Sequence, residues 1–160
     1  MCETPVKGAS ISYLKGDATK PVGDGTKIIA HITNDARRWG AGFVIALSHR
    51  WPKAEAAYRS GKDADLRLGN VQFVEVEPDV VVANMVAQHG TRTIGNTAPI
   101  RYESLRDCLE KVAGKAVELN ASVHGPRFGA GLSGGKWGAI ERIILDTVVA
   151  NGIQVTIYDL

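Results

Sequence analysis

The chain has 160 residues, of which 44% are hydrophobic and 22% charged, and its formal net charge is +2. This length and balance fit one globular domain with its own core and exclude a disordered or fibrous chain. Because the charge is close to neutral and no run of lysine or arginine occurs, there is no electrostatic footprint for duplex nucleic acid. We expect one domain over residues 1–160, with residues 1–9 as a loose tail.

The chain begins with two predicted strands and a helix. Residues 11–15 alternate in polarity and residues 27–31 form a short apolar run, so each predicts a strand. After a polar loop, an apolar segment over residues 43–49 predicts a helix. Pro52 cannot continue a helix, so we expect it to end this one.

The middle of the chain predicts a β-hairpin followed by a long loop. Residues 71–76 and 80–86 are rich in valine, and the sequence Glu-Pro-Asp between them is typical of a turn. Residues 90–99 carry Gly, Thr and Asn without periodicity. A surface loop of this length often holds binding residues.

Helices and strands alternate in the second half. Residues 101–119 show apolar side chains at helical spacing, residues 122–126 predict a strand, residues 136–150 a helix and residues 153–158 a final strand. This alternation favours right-handed crossovers. The predicted fold is therefore α/β: a three-layer α/β/α sandwich around a mixed, mostly parallel sheet.

Two glycine-rich segments lie between a predicted strand and a predicted helix. We call residues 40–42 (Gly-Ala-Gly) the first glycine loop and residues 128–135 (Phe-Gly-Ala-Gly-Leu-Ser-Gly-Gly) the second. Glycine lets backbone approach a ligand closely, and amides at a helix N-terminus favour phosphate. Two such loops can clamp two phosphates. The simpler alternative for either loop alone is a flexible turn.

Other nucleotide motifs compete for the second loop. Residues 129–134 match the Gly-x-Gly-x-x-Gly dinucleotide fingerprint, and Asp159 follows the next strand where a ribose-binding acid would stand. However, that fingerprint normally opens a long doubly wound sheet, and only one further strand follows here. A Walker loop fails because Trp137 follows Lys136 where Ser or Thr is required.

Cysteine and histidine are too scattered for a disulfide framework or a zinc site. The cysteines are Cys2 and Cys108, and the histidines are His31, His49, His89 and His124. The first fifteen residues lack the apolar stretch of a signal peptide, and no segment is apolar enough to span a bilayer. We expect a cytoplasmic protein without metal, cofactor or membrane partner.

Five segments together resemble the macrodomain family, specifically the branch of the terminal ADP-ribose protein glycohydrolase. They are residues 16–18 (Gly-Asp-Ala), 30–35 (Ala-His-Ile-Thr-Asn-Asp), 39–43 (Trp-Gly-Ala-Gly-Phe), 126–132 (Pro-Arg-Phe-Gly-Ala-Gly-Leu) and 158–160 (Tyr-Asp-Leu). The resemblance runs nearly end to end. It implies an ADP-ribose site in which Asp17 accepts from the adenine amino group, Asn34 faces the distal ribose and Leu160 packs near adenine.

The resemblance also implies the ligand-binding residues. They are Asp17, Ala18, Thr33, Asn34, Gly40, Ala41, Gly42, Phe43, Arg127, Phe128, Gly129, Ala130, Gly131, Leu132 and Leu160. Strand alternation leaves open whether Arg127 faces the phosphates or solvent. His31 is expected to be a satisfied buried histidine, and His89 to be exposed to solvent.

This chain departs from the branch at its two catalytic positions. Those glycohydrolases use a strand lysine and an aspartate just after the second phosphate loop, whereas here residues 84–89 contain no lysine and Ser133 stands in the aspartate's place. A covalent lysine route is therefore not expected. Catalysis would depend on Asn34 holding a ribose hydroxyl, on Gln88 or Ser133 orienting water, and on Asp35 as the base.

The leading functional hypothesis is a hydrolase that removes mono-ADP-ribose from an acidic protein side chain or from a DNA base. A DNA-linked substrate would have to be presented outside the base stack. Two alternatives stay open. One is a reader that binds ADP-ribose on modified partners without chemistry, and the other is a phosphatase acting on ADP-ribose 1″-phosphate.

Overall fold

The computed structural model describes residues 9–160, and residues 1–8 lie outside the described part. The predicted loose tail over residues 1–9 therefore lies almost entirely outside it, and so does Cys2. The first described residue, Ala9, packs against the hydrophobic core.

The described residues form a six-stranded sheet with helices on both faces. The strands are β1 (Ile11–Lys15), β2 (Lys27–Asn34), β3 (Val71–Glu77), β4 (Val80–Gln88), β5 (Ser122–Gly125) and β6 (Val155–Asp159). The α-helices are α1 (Phe43–Arg50), α2 (Pro52–Ser60), α3 (Tyr102–Leu119) and α4 (Trp137–Thr147). Short 3₁₀ helices follow α2 and α4, at Asp63–Leu66 and Val149–Asn151. The six predicted strands and three predicted helices are confirmed.

The sheet has the strand order β1-β6-β5-β2-β4-β3. All neighbouring pairs are parallel except β3 and β4, which form the predicted antiparallel hairpin. The predicted mixed, mostly parallel sheet is thus confirmed. Because β2, β4 and β5 run in the same direction, their carboxyl ends meet at one edge of the sheet. In open α/β sheets this is the edge where ligands bind.

The larger core lies between the sheet and helices α3 and α4. In α3, the fully buried side chains of Leu105, Leu109 and Val112 recur at spacings of four and three residues, which places them on one helix face. Cys108 is buried on the same face and is a free thiol. Its burial raises its pKa to about 12, so this thiol is unreactive at neutral pH.

The opposite face of the sheet carries α1 and α2, which completes the three-layer sandwich. As expected, α1 ends just before Pro52, but Pro52 has a second role that the sequence did not predict. It starts α2, where proline is favoured because the first helical N–H needs no partner within the helix. Only Ala54 and Tyr58 of α2 are buried, too few apolar positions to give a helical pattern in the sequence.

No helix within residues 9–160 combines the length and apolar character needed to cross a membrane.

Candidate ligand-binding site

A cavity of about 600 Å³ opens at the carboxyl ends of β2, β4 and β5. Its walls come from four parts of the chain: the end of β2, the first glycine loop with the start of α1, the end of β4, and the second glycine loop with the residues before it. The lining residues are His31, Ile32, Thr33, Asn34, Arg38, Gly40, Ala41, Gly42, Phe43, Val44, Gln88, Thr91, Pro126, Arg127, Phe128, Gly129, Gly131, Leu132 and Ser133.

The two glycine loops face each other across this cavity. A β-carbon built on Gly42 would lie 3.6 Å from Cδ1 of Leu132, which is ordinary contact distance. Gly42 has a φ of 77°, a backbone conformation that L side chains rarely adopt. By contrast, a β-carbon on Gly40 or Gly131 would meet nothing within 4 Å. These two glycines therefore leave open space where backbone can contact a ligand.

The electrostatic character of the cavity suits an anion. The exposed residues Arg38 and Arg127 both line it. The α1 N-terminus, at Phe43, has no side-chain cap and no acidic residue in its first turn. Among the described residues, no aspartate or glutamate lines the cavity. Uncapped amides at a helix N-terminus together with the Arg38 guanidinium favour negative charge.

Arg127 is held in place on the β1 side of the cavity. Its guanidinium makes a two-point ion pair with Asp159, with Nε 2.7 Å from Oδ1 and a terminal nitrogen 3.1 Å from Oδ2. It also lies over the rings of Tyr13 and Trp137, 4.9 Å and 5.3 Å from their centroids. Hydrogen bonds from Arg127 hold the pKa of Asp159 below its usual value. Asp159 thus has a structural partner.

Asn34 shapes the loop that leads to the first glycine loop. Its Oδ1 accepts from the backbone N–H groups of Ala36 and Arg38 at 3.0 and 3.1 Å, and its Nδ2 donates to the Arg38 carbonyl at 2.8 Å. The buried Tyr58 hydroxyl of α2 lies 2.6 Å from the Asn34 carbonyl oxygen. These bonds fix the loop geometry, and contact with a distal ribose stays a prediction.

Two predicted catalytic residues meet at the cavity wall. The Ser133 hydroxyl donates to Oε1 of Gln88 at 2.5 Å, and Nε2 of Gln88 donates to the Gly90 carbonyl at 2.9 Å. Ser133 is buried. The pair links the second glycine loop to the end of β4.

The remaining predicted catalytic residue, Asp35, pairs with His89 instead of lining the cavity. Oδ2 of Asp35 lies 2.7 Å from Nδ1 of His89, and Oδ1 accepts from the Gly90 N–H at 2.8 Å. Burial favours the neutral acid, but the Gly90 and His89 hydrogen bonds outweigh it and hold the Asp35 pKa below its usual value. His89 is exposed, as expected, with 55% of its side chain accessible. The Asp35 carboxylate can therefore orient the imidazole.

His31 lines the cavity but is only half satisfied, contrary to the expectation of a satisfied buried histidine. Its Nε2 bonds to Oδ1 of Asn84 at 2.5 Å, whereas its Nδ1 has no partner among the described residues. Burial lowers the His31 pKa to about 4, although the Asn84 bond opposes this shift. The ring is therefore neutral near pH 7. It packs edge-on against Trp39 and tilted against Phe43.

Comparison with known proteins places this arrangement in a family. No family model matches the sequence. A protein of unknown function from Bacteroides thetaiotaomicron is 48% identical, with a TM-score of 0.93 over 96% of this chain and 100% of its own. A macrodomain protein from Streptomyces coelicolor is 49% identical, with a TM-score of 0.81 over 94% of this chain and 99% of its own. The chain belongs to the macrodomain family.

Relatives of this macrodomain include much longer proteins. Mouse chromodomain-helicase-DNA-binding protein 1-like is 34% identical over 159 residues, which covers 93% of this chain but 18% of the mouse protein. The zebrafish protein of the same name is covered to 15%. The chain thus spans less than a fifth of the length of these curated relatives. DarTG of Thermosipho africanus, solved in complex with ADP-ribose, is 14% identical with a TM-score of 0.69 over 83% of this chain and 38% of its own. At that identity the likeness shows the fold alone.

Most of the predicted site residues line the macrodomain cavity, and five do not: Asp17, Ala18, Asp35, Ala130 and Leu160. Asp17 follows β1, where its Oδ1 accepts from the Thr19 N–H at 2.8 Å and the Thr19 hydroxyl at 2.7 Å. Ala18 is buried, Ala130 is half-buried against the core, and Leu160 is fully exposed.

Several lining residues were not predicted from the sequence. They are Ile32, Arg38, Val44, Thr91 and Pro126, besides His31, which was expected to be structural. Arg38 carried a usable signal, because a cation close to a glycine loop is typical of phosphate sites. The dinucleotide fingerprint in the second glycine loop is a chance match in a macrodomain, and its supposed ribose acid, Asp159, is paired with Arg127. Within residues 9–160, no three His, Cys, Asp or Glu side chains come together as a metal site.

Proposed function

We propose that this macrodomain binds ADP-ribose, with the diphosphate held between the first and second glycine loops. The observation that carries the proposal is that both loops line one cavity, where a β-carbon built on Gly42 would lie 3.6 Å from Cδ1 of Leu132. A cavity of about 600 Å³ also has the size expected of a small-molecule site. DarTG of Thermosipho africanus, a neighbour in fold, was solved with the same ligand.

The strand order supports one direction for the ligand. Asp17 follows β1, Arg127 follows β5, and Gln88 ends β4, while β2 lies between β5 and β4. With adenine at Asp17, a ligand crossing the sheet edge reaches the diphosphate position near β5 and β2. The distal ribose then lies at the ends of β2 and β4. Neighbouring strands are about 4.8 Å apart, so the path from β1 to β2 is on the order of 14 Å.

We further propose that the macrodomain hydrolyses the bond between the distal ribose and a macromolecule. Water attacks the anomeric carbon, the bond from that carbon to the linking oxygen or base nitrogen breaks, and the leaving group keeps the bonding electrons. A proton from the attacking water passes to Nε2 of His89, whose Nδ1 faces the Asp35 carboxylate. Gln88 and Ser133, at the cavity wall, orient the water.

Two features support this assignment over the lysine route of related glycohydrolases. No lysine lines the cavity among the described residues. In addition, Asp35 and His89 directly follow Asn34 and Gln88, which do line it. The low pKa of Asp35 makes it a weak base alone, and supports a role in orienting the imidazole.

One observation favours a second candidate, a reader without chemistry. The polar atoms of Asn34, Gln88 and Ser133 are already engaged in hydrogen bonds within the protein. A site whose polar side chains are satisfied before the ligand arrives is suited to rigid binding. The reader and the hydrolase share the same cavity and differ only in turnover.

The test combines calorimetry with ADP-ribose and turnover of three substrates: ADP-ribosylated protein, ADP-ribosylated single-stranded DNA and ADP-ribose 1″-phosphate. We expect binding together with release of ADP-ribose from a macromolecule. Binding without release would identify a reader, and release of inorganic phosphate alone would identify a phosphatase. The absence of ADP-ribose binding would refute the central proposal.

Two variants test the proton transfer separately from binding. His89→Ala is expected to lower the rate of release by about 10²- to 10⁴-fold, the usual contribution of a general base. Asp35→Asn should lower it less, because it keeps an oxygen for the Gly90 N–H but loses the charge facing His89. Unchanged rates in both variants would remove the pair from the mechanism without affecting the binding proposal.

A further inference from the structure

Nδ1 of His31 is a buried acceptor without a donor. The His31 residue is 1% exposed, and this nitrogen has no hydrogen-bond partner among the described residues. A buried polar atom without a hydrogen-bond partner destabilises the folded state, so such atoms are uncommon in folded proteins. Because His31 lines the cavity, a ligand is one possible source of the missing hydrogen-bond donor.

Two backbone carbonyls of α2 determine which ring nitrogen carries the proton. The Ala57 carbonyl accepts from Nε2 of Gln72 at 3.0 Å, which turns Oε1 of Gln72 towards Asn84. The Ala54 carbonyl accepts from Nδ2 of Asn84 at 3.2 Å, so Oδ1 of Asn84 must face His31. An amide oxygen can only accept, and therefore Nε2 of His31 is the donor. Nδ1 is then left with its lone pair free.

The surroundings keep this lone pair available. The ring packs against Trp39 and Phe43, and burial lowers its pKa to about 4, so protonation does not fill the position near pH 7. On the neighbouring helix α2, the Tyr58 hydroxyl already donates to the Asn34 carbonyl. Within the described residues nothing else supplies a proton to Nδ1.

We propose that Nδ1 of His31 accepts a hydrogen bond from a hydroxyl of the distal ribose, which makes His31 a specificity-determining ligand contact. This inference rests on the proposed binding of ADP-ribose. Its basis is position: His31 belongs to β2 and lines the cavity, and the strand order places the ligand half beyond the diphosphate over β2 and β4. A ligand that ends at the diphosphate has no hydroxyl to offer there.

The direct test is the nitrogen NMR signal of His31 in the unmodified protein. An imidazole nitrogen with a free lone pair resonates far downfield and moves upfield when it accepts a hydrogen bond. We expect the Nδ1 signal to move upfield with ADP-ribose and to stay in place with ADP. If ADP-ribose binds but Nδ1 does not move, or if Nδ1 is already bonded to a resident water without ligand, the inference is overturned and ADP-ribose binding still stands. If ADP-ribose does not bind at all, the proposed function fails with it.

Two variants of His31 form a matched pair. His31→Gln places an N–H near the position of Nε2, for Asn84, and removes the acceptor at the Nδ1 position. His31→Asn places an amide oxygen near the Nδ1 position and removes the donor to Asn84. We expect His31→Gln to lose about 3- to 10-fold in ADP-ribose affinity with little change for ADP, and His31→Asn to lose less. Equal losses for both ligands, or for both variants, would assign His31 to packing alone.

Discussion

The two glycine loops meet at one cavity but are held by different means. The first is held by polar side chains: the Trp39 indole donates to Ser48 at 2.6 Å, Ser48 donates to Glu55 at 2.7 Å, and Arg59 donates to the Trp39 carbonyl at 3.3 Å. These partners lie on α1 and α2. The first loop should therefore be sensitive to the loss of single hydrogen bonds.

The second loop is held by close packing of bare backbone. A β-carbon on Gly129 would lie 2.7 Å from Cδ1 of Ile100 and 2.9 Å from Cδ1 of Ile140. On Gly135 it would lie 2.5 Å from the Gly129 carbonyl oxygen. There is no room for a side chain at these two positions, whereas Gly131 faces open space. Some glycines of this loop are therefore required by the fold, whereas Gly131 leaves open space at the cavity.

The largest expected effect separates those two kinds of glycine. Gly129→Val should destabilise the protein by about 3 kcal/mol or more, because the side chain collides with the core and φ is 82°. Gly131→Val, its matched control, should keep the fold and lose ADP-ribose binding. Thermal unfolding and calorimetry measure the two outcomes. If Gly131→Val also unfolded, the loop would be a structural turn.

Asp17 lies outside both loops and tests the adenine end of the ligand. Asp17→Ala should weaken ADP-ribose and ADP binding by about 1.5–3 kcal/mol, the range for a hydrogen bond to a charged group, while pyrophosphate binding stays the same. Asp17→Asn is the control, since it keeps an oxygen for Thr19 but loses the charge. Calorimetry with the three ligands measures this. Unchanged ADP-ribose affinity in both variants would refute the adenine role.

A smaller effect tests the polar support of the first loop. Tyr58→Phe removes the hydroxyl that contacts Asn34 and should lower the free energy of unfolding by about 1–2 kcal/mol. Amide hydrogen exchange should accelerate over residues 34–42 more than over the second loop. Equal acceleration in both loops would contradict the separate support inferred here.

A last effect to test is a pH dependence beneath the first loop. The folded-state pKa of His31 is lowered from 6.5 to about 4, so the unfolded chain binds more protons between these values. Stability is therefore lost as pH falls from about 6.5 towards 4. Because His31 packs against Trp39 and Phe43, the amides of the first loop should lose protection against hydrogen exchange, measured relative to the intrinsic exchange rate at each pH, as the pH falls across this window. Protection factors that stay constant between pH 7 and 4.5 would contradict this.

Periodicity and turn chemistry were enough to predict the strands, three helices and both glycine loops from sequence. They did not predict α2, because only Ala54 and Tyr58 face the core and the other positions are polar or small. Yet α2 supplies Tyr58 to Asn34 and two carbonyls to the His31 network. The consequence is that the support of the first loop was invisible in the sequence.

Side-chain pairing was also beyond sequence reasoning. Thr33 pairs with Val86 whereas Asn34 pairs with Gln88, so β4 carries an extra residue at the cavity edge. This irregularity sets how β2 and β4 match where Asp35 meets His89, a pair that alternation alone does not reveal. In the same way, the free Nδ1 of His31 depends on hydrogen bonds that originate on another element.

The most direct test of the central claim is a titration of amide NMR signals with ADP-ribose. We expect the backbone amides of Gly42 and Phe43, at the end of the first glycine loop, and of Gly131 and Leu132, in the second, to shift together at the same ligand concentration. Pyrophosphate should move the same amides at higher concentration. If one loop responded and the other did not, the two glycine loops would not share a diphosphate and the account would be contradicted.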